Sequence, residues 1–163
     1  MIMQSKNKEY LGGTNMKKLL CVILLVVALA ATANAGDLIV GATFGPNTDL
    51  TTFEYRLDQS YKGAWGNELV FGVATGFDQL NQNTDVNKYS VGLGWNATNG
   101  NATIAGGPVI SYIDAVGVNN AYAGVYGSVD LKISKSWLAQ VKYTEIFGVD
   151  IAEGWQAGIG LRF

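Results

Sequence analysis

Histidine is absent from all 163 residues, and cysteine occurs once, at Cys21. Without histidine, general acid–base chemistry near neutral pH would rest on a carboxylate or lysine with a strongly shifted titration. Glu54, Glu68 and Lys142 are the candidates by residue type, and paired structural charge is the simpler reading of all three. No serine stands in a G-x-S-x-G elbow, and no Cys/His set has metal-ligand spacing. Gly92-x-Gly94 and Gly158-x-Gly160 precede no helix that could hold a phosphate, which removes a nucleotide fingerprint. No cofactor is expected. Basic residues are scarce beyond residue 35: seven Lys and Arg face twelve Asp and Glu, net −5, the wrong sign for a nucleic-acid partner.

Long apolar runs are also lacking after the N-terminal region. Lys17-Lys18 precede the apolar stretch Leu19–Ala31, and Ala33-Asn34-Ala35 follow it. That is the order of a secretory signal peptide over 16–35, with cleavage expected after Ala35. The stretch is shorter than the ~20 residues of a comfortable spanning helix. Residues 1–15 form a polar leader foreign to such a peptide, so translation is expected to begin at Met16. One domain, 36–163, remains. Cys21 leaves with the signal segment, and a cysteine-free remainder suits an oxidising compartment.

Within 36–163 the recurring period is two, not 3.6. Strands are predicted at 37–45, 50–61, 65–77, 86–96, 102–113, 119–131, 136–146 and 154–163. One face of nearly every strand is apolar, as in Leu38, Val40, Ala42 and Phe44, or Tyr89, Val91, Leu93 and Trp95. The fifth strand is the weakest, and Gly106-Gly107-Pro108 predicts a bulge there, because proline cannot donate to a ladder. The other face is small or polar. It carries Glu54, Glu68 and Asp130 against Arg56, Lys88, Lys142 and Arg162, a nearly balanced set. Enclosed in a narrow barrel these seven must form an ion-pair network, since an isolated buried ion costs several kcal/mol. The inward glycines leave space for Tyr122 and Tyr126. Charge inside and oil outside is the reverse of a soluble ligand-binding barrel and fits a lipid surround.

Aromatic placement agrees. With both termini on one side, Tyr61, Trp65, Trp95, Trp137 and Phe163 fall at that end. Phe44, Phe53, Phe77, Tyr89, Tyr112, Tyr143 and Trp155 fall toward the other, giving two girdles from one register. The last strand ends on an alternation in which Gln156, Gly158, Leu161 and Phe163 read polar, Gly, hydrophobic, aromatic. This resembles the C-terminal assembly signal of bacterial outer-membrane β-barrels. Across 36–163 the chain resembles the small barrels of the OmpX/OmpA transmembrane type. The resemblance implies an all-β, eight-stranded antiparallel up-and-down transmembrane β-barrel in the cell outer membrane. It also implies handling by periplasmic chaperones and the barrel-assembly machinery, and a surround of outer-membrane lipid and lipopolysaccharide.

The expected role is structural or surface-interacting, non-enzymatic and monomeric. Outer connections at 46–49, 78–85, 114–118 and 147–153 are short, which departs from the extended loops of adhesive barrels. Familiar outer-membrane lipid enzymes rely on histidine, which this chain lacks. Two alternatives stay open: a lipid-binding or lipid-modifying barrel, and a secreted soluble barrel for a small ligand. Eight strands enclose a lumen that side chains fill, so a general diffusion pore is not expected. Asp49, Asp78, Asp85, Asp114, Asp150 and Glu153 crowd the outer connections, while Lys62, Lys132 and Lys135 lie at the opposite turns. The acids are either a solvated rim or a weak site for divalent cations shared with lipid phosphates.

Overall fold

The computed structural model describes residues 36–45, 48–60, 65–78 and 84–163. The leader, the signal segment with Cys21, Tyr61 and Lys62 lie outside the described residues. Eight strands follow in order: β1 (Asp37–Phe44), β2 (Thr48–Ser60), β3 (Trp65–Asp78), β4 (Thr84–Asn99), β5 (Ala102–Ala115), β6 (Val118–Lys132), β7 (Trp137–Ile146) and β8 (Gly154–Arg162). Each pairs antiparallel with its neighbours in sequence, and β1 pairs with β8 to close the barrel. Closure leaves no edge strand. The near end carries Gly36 and Phe163, joined by a Phe163 N–H donated to the Gly36 carbonyl at 3.0 Å. The far end carries the connections after β1, β3, β5 and β7.

Alternation decides what lies inside. Along β7 exposed or half-buried residues alternate with buried ones, Leu138, Gln140, Lys142, Thr144 and Ile146 pointing in. Outward residues include Leu93 and Ile110, each 63 % exposed, and Trp65 at 70 %. Inside are Glu54, Arg56, Glu68, Lys88, Asp130 and Lys142, all at or below 6 %. In water the outer surface would forgo ~25 cal/mol for every Å² of oil left uncovered. That arrangement removes the soluble-barrel reading, which requires an apolar interior. The described girdle residues stand outside at the expected ends. Tyr55 departs from the pattern: it shares the outward face of β2 yet is 2 % exposed, with its hydroxyl against Gly36.

Turn chemistry is local and legible. Gly100 adopts φ +61° in the two-residue link between β4 and β5, and Thr98 and Thr103 share a hydrogen bond of 2.9 Å beside it. The bulge expected at Pro108 does not form. Gly92 pairs with Val109 and Trp95 with Gly106, so register is the same on both sides of a short lapse in the β4–β5 ladder. Pro108 keeps its place opposite Val125 of β6. The missing N–H falls in the lapse, and no extra residue is needed.

Candidate functional site

Among the described residues, chemistry-bearing side chains gather in the lumen, which is built in layers. Nearest the termini, Arg56 of β2 is 1 % exposed and surrounded by carboxylates. Its guanidinium donates to Asp37 at 2.5 Å and to Asp130 of the opposite wall, and it lies 3.3 Å from Asp58 and 3.7 Å from Glu68. Asp37 is the direct cross-strand partner of Arg56 on β2 and of Arg162 on β8. Arg162 donates to it twice, at 2.8 and 3.0 Å, so this carboxylate holds the closing seam from both sides.

Farther along, Tyr126 of β6 crosses the lumen and donates its hydroxyl to Glu68 at 2.5 Å. Gly94 makes room for it, because a Cβ there would collide with the Tyr126 hydroxyl, and one at Gly92 would stand 3.0 Å from the ring. The Lys142 ammonium lies 4.6 Å from the Tyr126 ring centroid and donates to Glu54 at 2.5 Å. Gln156 donates to Gln140 at 3.3 Å, and Thr43 and Thr52 bond at 2.8 Å. Tyr122, the other tyrosine expected inside, packs half-buried against the far-end cluster.

The far end is apolar. Leu50, Ala74, Val86, Ile113, Ile146 and Ala152 form a buried cluster across it. Ala152 belongs to the strap 147–153 between β7 and β8, where Val149 and Ile151 also pack inward. Ala152 adopts φ 65°, unusual for a residue with a Cβ. Polar contacts hold it there: its N–H donates to Thr48 Oγ1 at 3.2 Å, and its carbonyl accepts from Lys88 Nζ at 2.9 Å.

All seven residues expected in the network face the lumen, and six of them meet a charge of opposite sign. Lys88 does not. It stands at the level where the strap dips in, and a backbone carbonyl takes the place of the carboxylate. Asp37 and Asp58 were missed, although both share parity with residues assigned inward on their own strands. Gln156 and Gly158 of the C-terminal pattern face inward, while Leu161 pairs with Leu38 and Trp137 on the outer wall. Phe163 is exposed at the near end. Of the rim acids, Asp49, Asp85, Asp114 and Asp150 are exposed and Glu153 half-buried; the side chain of Asp78 lies outside the described residues. Among the described residues no three of them converge on a metal-sized site.

No family model and no curated protein matches the chain. Solved structures do. The Yersinia pestis outer membrane protein Ail in a phospholipid bilayer nanodisc aligns with TM-score 0.55 at 15 % identity, covering 80 % of this chain and 100 % of that one. A de novo designed transmembrane β-barrel aligns with TM-score 0.56 at 12 % identity, over 81 % and 98 %. This is the small transmembrane β-barrel fold. Neisserial surface protein A aligns with TM-score 0.50 at 13 % identity, over 78 % of this chain and 93 % of that one. At these identities the likeness concerns the fold. The transmembrane barrel explains why the oily surface is outside and why the ions are enclosed.

Proposed function

We propose that the protein is a structural or surface-interaction barrel of a bacterial outer membrane, without catalytic activity. The observation that carries this reading is the inversion itself: exposed Trp65, Leu93 and Ile110 outside, buried Arg56, Glu68 and Asp130 inside. A barrel with that surface is at rest only in lipid. Ail is an outer membrane protein and the Neisserial protein a surface protein, which supports the same address. Residues 16–35 act as a cleaved export signal. Gln156, Gly158, Leu161 and Phe163 present the last strand to periplasmic chaperones and the assembly machinery. The near end faces the periplasm, and the far end, with its strap and acidic rim, faces lipopolysaccharide and the medium. The barrel is a monomer that needs no cofactor. Apart from Lys88, its interior charges pair with one another, which supports a scaffold over a catalyst, and the apolar far-end cluster supports a closed lumen over a pore.

The cysteine-free barrel permits a direct topological test. Val116→Cys lies in the exposed far-end turn and Ser134→Cys in the exposed near-end turn. A membrane-impermeant maleimide applied to intact cells is expected to label the first and spare the second. Labelling of Ser134→Cys alone reverses the orientation, and labelling of both in the culture medium removes the membrane reading.

A further inference from the structure

Among the described residues Lys88 is the inward charge that the ion-pair network leaves out, and its surroundings are oily. It is 5 % exposed on β4, and its cross-strand partners are Ala74 of β3 and Ile113 of β5. Both belong to the far-end cluster, with Leu50, Val86 and Ile146. The next cation down the lumen, Lys142, is already paired with Glu54. A buried ammonium is costly unless a negative charge compensates it. The Ala152 carbonyl, 2.9 Å from Lys88 Nζ, supplies a dipole and no charge. The strap delivers that carbonyl in a crowded conformation. Ala152 is held at φ 65°, between Gly148 at φ 87° and Gly154 at φ 134°, which turn the chain in and out of the mouth. Between these glycines Val149 and Ile151 pack half-buried against the cluster, and the Ala152 N–H donates to Thr48 Oγ1 at 3.2 Å. Residues 149–152 are in effect a short, mostly apolar peptide lying in the mouth, its last carbonyl on an ammonium.

Above this cluster the exposed residues Asp49, Asp85, Asp114 and Asp150 stand at the strand ends and turns of the same end of the barrel. A cation at the floor, oil between and acid at the rim are complementary to one ligand class: a short apolar peptide with both ends free, entering C-terminus first. A fatty acid matches the floor and the walls but brings nothing to the acidic rim. We propose that the far-end mouth binds such a peptide, and that the strap is its built-in stand-in. The ligand's α-carboxylate takes the place of the Ala152 carbonyl on Lys88, and its last N–H donates to Thr48. Its side chains replace Val149 and Ile151, and its α-ammonium meets the rim acids. Leaving the mouth frees Ala152 from the left-handed region, which offsets part of the contacts the strap gives up. The inference rests on the surface-interaction reading above and names a partner class for it.

The protein is reconstituted in phosphatidylcholine nanodiscs, with empty nanodiscs as the blank. It is titrated calorimetrically with the tripeptide valyl-isoleucyl-alanine, its C-terminal amide, its N-acetyl form and octanoate. The expected result is saturable binding of the free tripeptide, with the amide weaker by about tenfold or more and the N-acetyl form weaker by several-fold. Amide exchange at Ala152 is expected to rise on binding, because the strap leaves the mouth. Lys88→Met is expected to make acid and amide equal. Ala152→Gly relieves the crowding at φ 65° and favours the seated strap, so the free tripeptide is expected to bind about fivefold more weakly. That variant leaves Lys88 and the apolar wall in place, and it keeps the test open where Lys88→Met does not fold. Equal affinity of the native chain for acid and amide overturns the proposal, and so does binding without a change at Ala152. Binding of octanoate and not of the tripeptide overturns it in favour of a fatty-acid site. Binding of no probe overturns it and makes the strap a fixed plug. Gel mobility with and without boiling reports the barrel, and maleimide labelling its orientation, so loss of the peptide site and loss of the surface reading are told apart.

Discussion

Arg56 of β2 and Asp130 of β6, 74 residues apart in sequence, are bound side chain to side chain across the lumen. The contact ties opposite walls, and the same guanidinium is the cation nearest Asp37, Asp58 and Glu68. Removing it leaves Asp37, Asp58, Glu68 and Asp130 crowded together, with Arg162 reaching Asp37 and Asp58 alone among the described residues. Arg56→Met is therefore expected to destabilise the barrel by about 3–5 kcal/mol, the usual effect of breaking a buried pair from one side. Urea unfolding in lipid vesicles measures it. Asp130→Asn in the same chain is expected to restore part of the loss, because it removes one stranded charge.

The packing of Tyr126 against a bare backbone gives a second expectation. A methyl at Gly94 has no space beside the Tyr126 hydroxyl. Gly94→Ala is expected to cost about 1–3 kcal/mol. Tyr126→Phe in that background should recover part of it, and the same urea series distinguishes recovery from simple addition.

Lys88 acts on the strap, not on the ion network. Lys88→Met removes the donor to the Ala152 carbonyl. A hydrogen bond from a charged donor is worth ~1.5–3 kcal/mol, so amide exchange at Ala152 is expected to rise by about tenfold or more. Exchange in β3 and β6 should be unaffected. Uniform acceleration throughout the barrel would contradict a local role.

The exterior is expected to reject charge and the rim to ignore chelators. Val141 is 50 % exposed on the outer face of β7. Val141→Arg is expected to cost about 2–4 kcal/mol in vesicles, as charges do near the middle of a membrane. The rim acids do not converge among the described residues, so EDTA is expected to shift the unfolding midpoint of the native chain and of an Asp85→Asn/Asp114→Asn variant equally. A larger shift in the native chain would restore a bound cation.

Much of this was legible in the sequence because a strand writes its two faces in alternate letters. The eight observed strands match the expected ones to within three residues at every end, and parity alone placed Glu54, Arg56, Glu68 and Lys142 inside. Asp37 and Asp58 have the same parity, but they stand near the ends of their strands, and only the closed barrel brings them to Arg56 and Arg162. Leu50, Val86, Ile113 and Ile146 were harder. They are apolar residues on an inward face, and only the strap, folded back over the far end, gives them an apolar neighbourhood. Periodicity cannot show that return, because Ala152 reaches Thr48 and Lys88 through contacts 104 and 64 residues apart. Pro108 was misread for a related reason: whether its missing N–H requires an inserted residue depends on the partner strand, and the β4–β5 ladder lapses there instead.

The membrane barrel itself is tested most directly by its resistance to detergent. Membrane fractions are run on SDS gels with and without boiling. The expected result is a compact, faster band without boiling that moves after boiling to the 17.4 kDa position of the full chain, or to about four-fifths of that mass once residues 1–35 are removed. A protein recovered in the aqueous fraction without detergent, with one mobility before and after boiling, would contradict the lipid-facing wall.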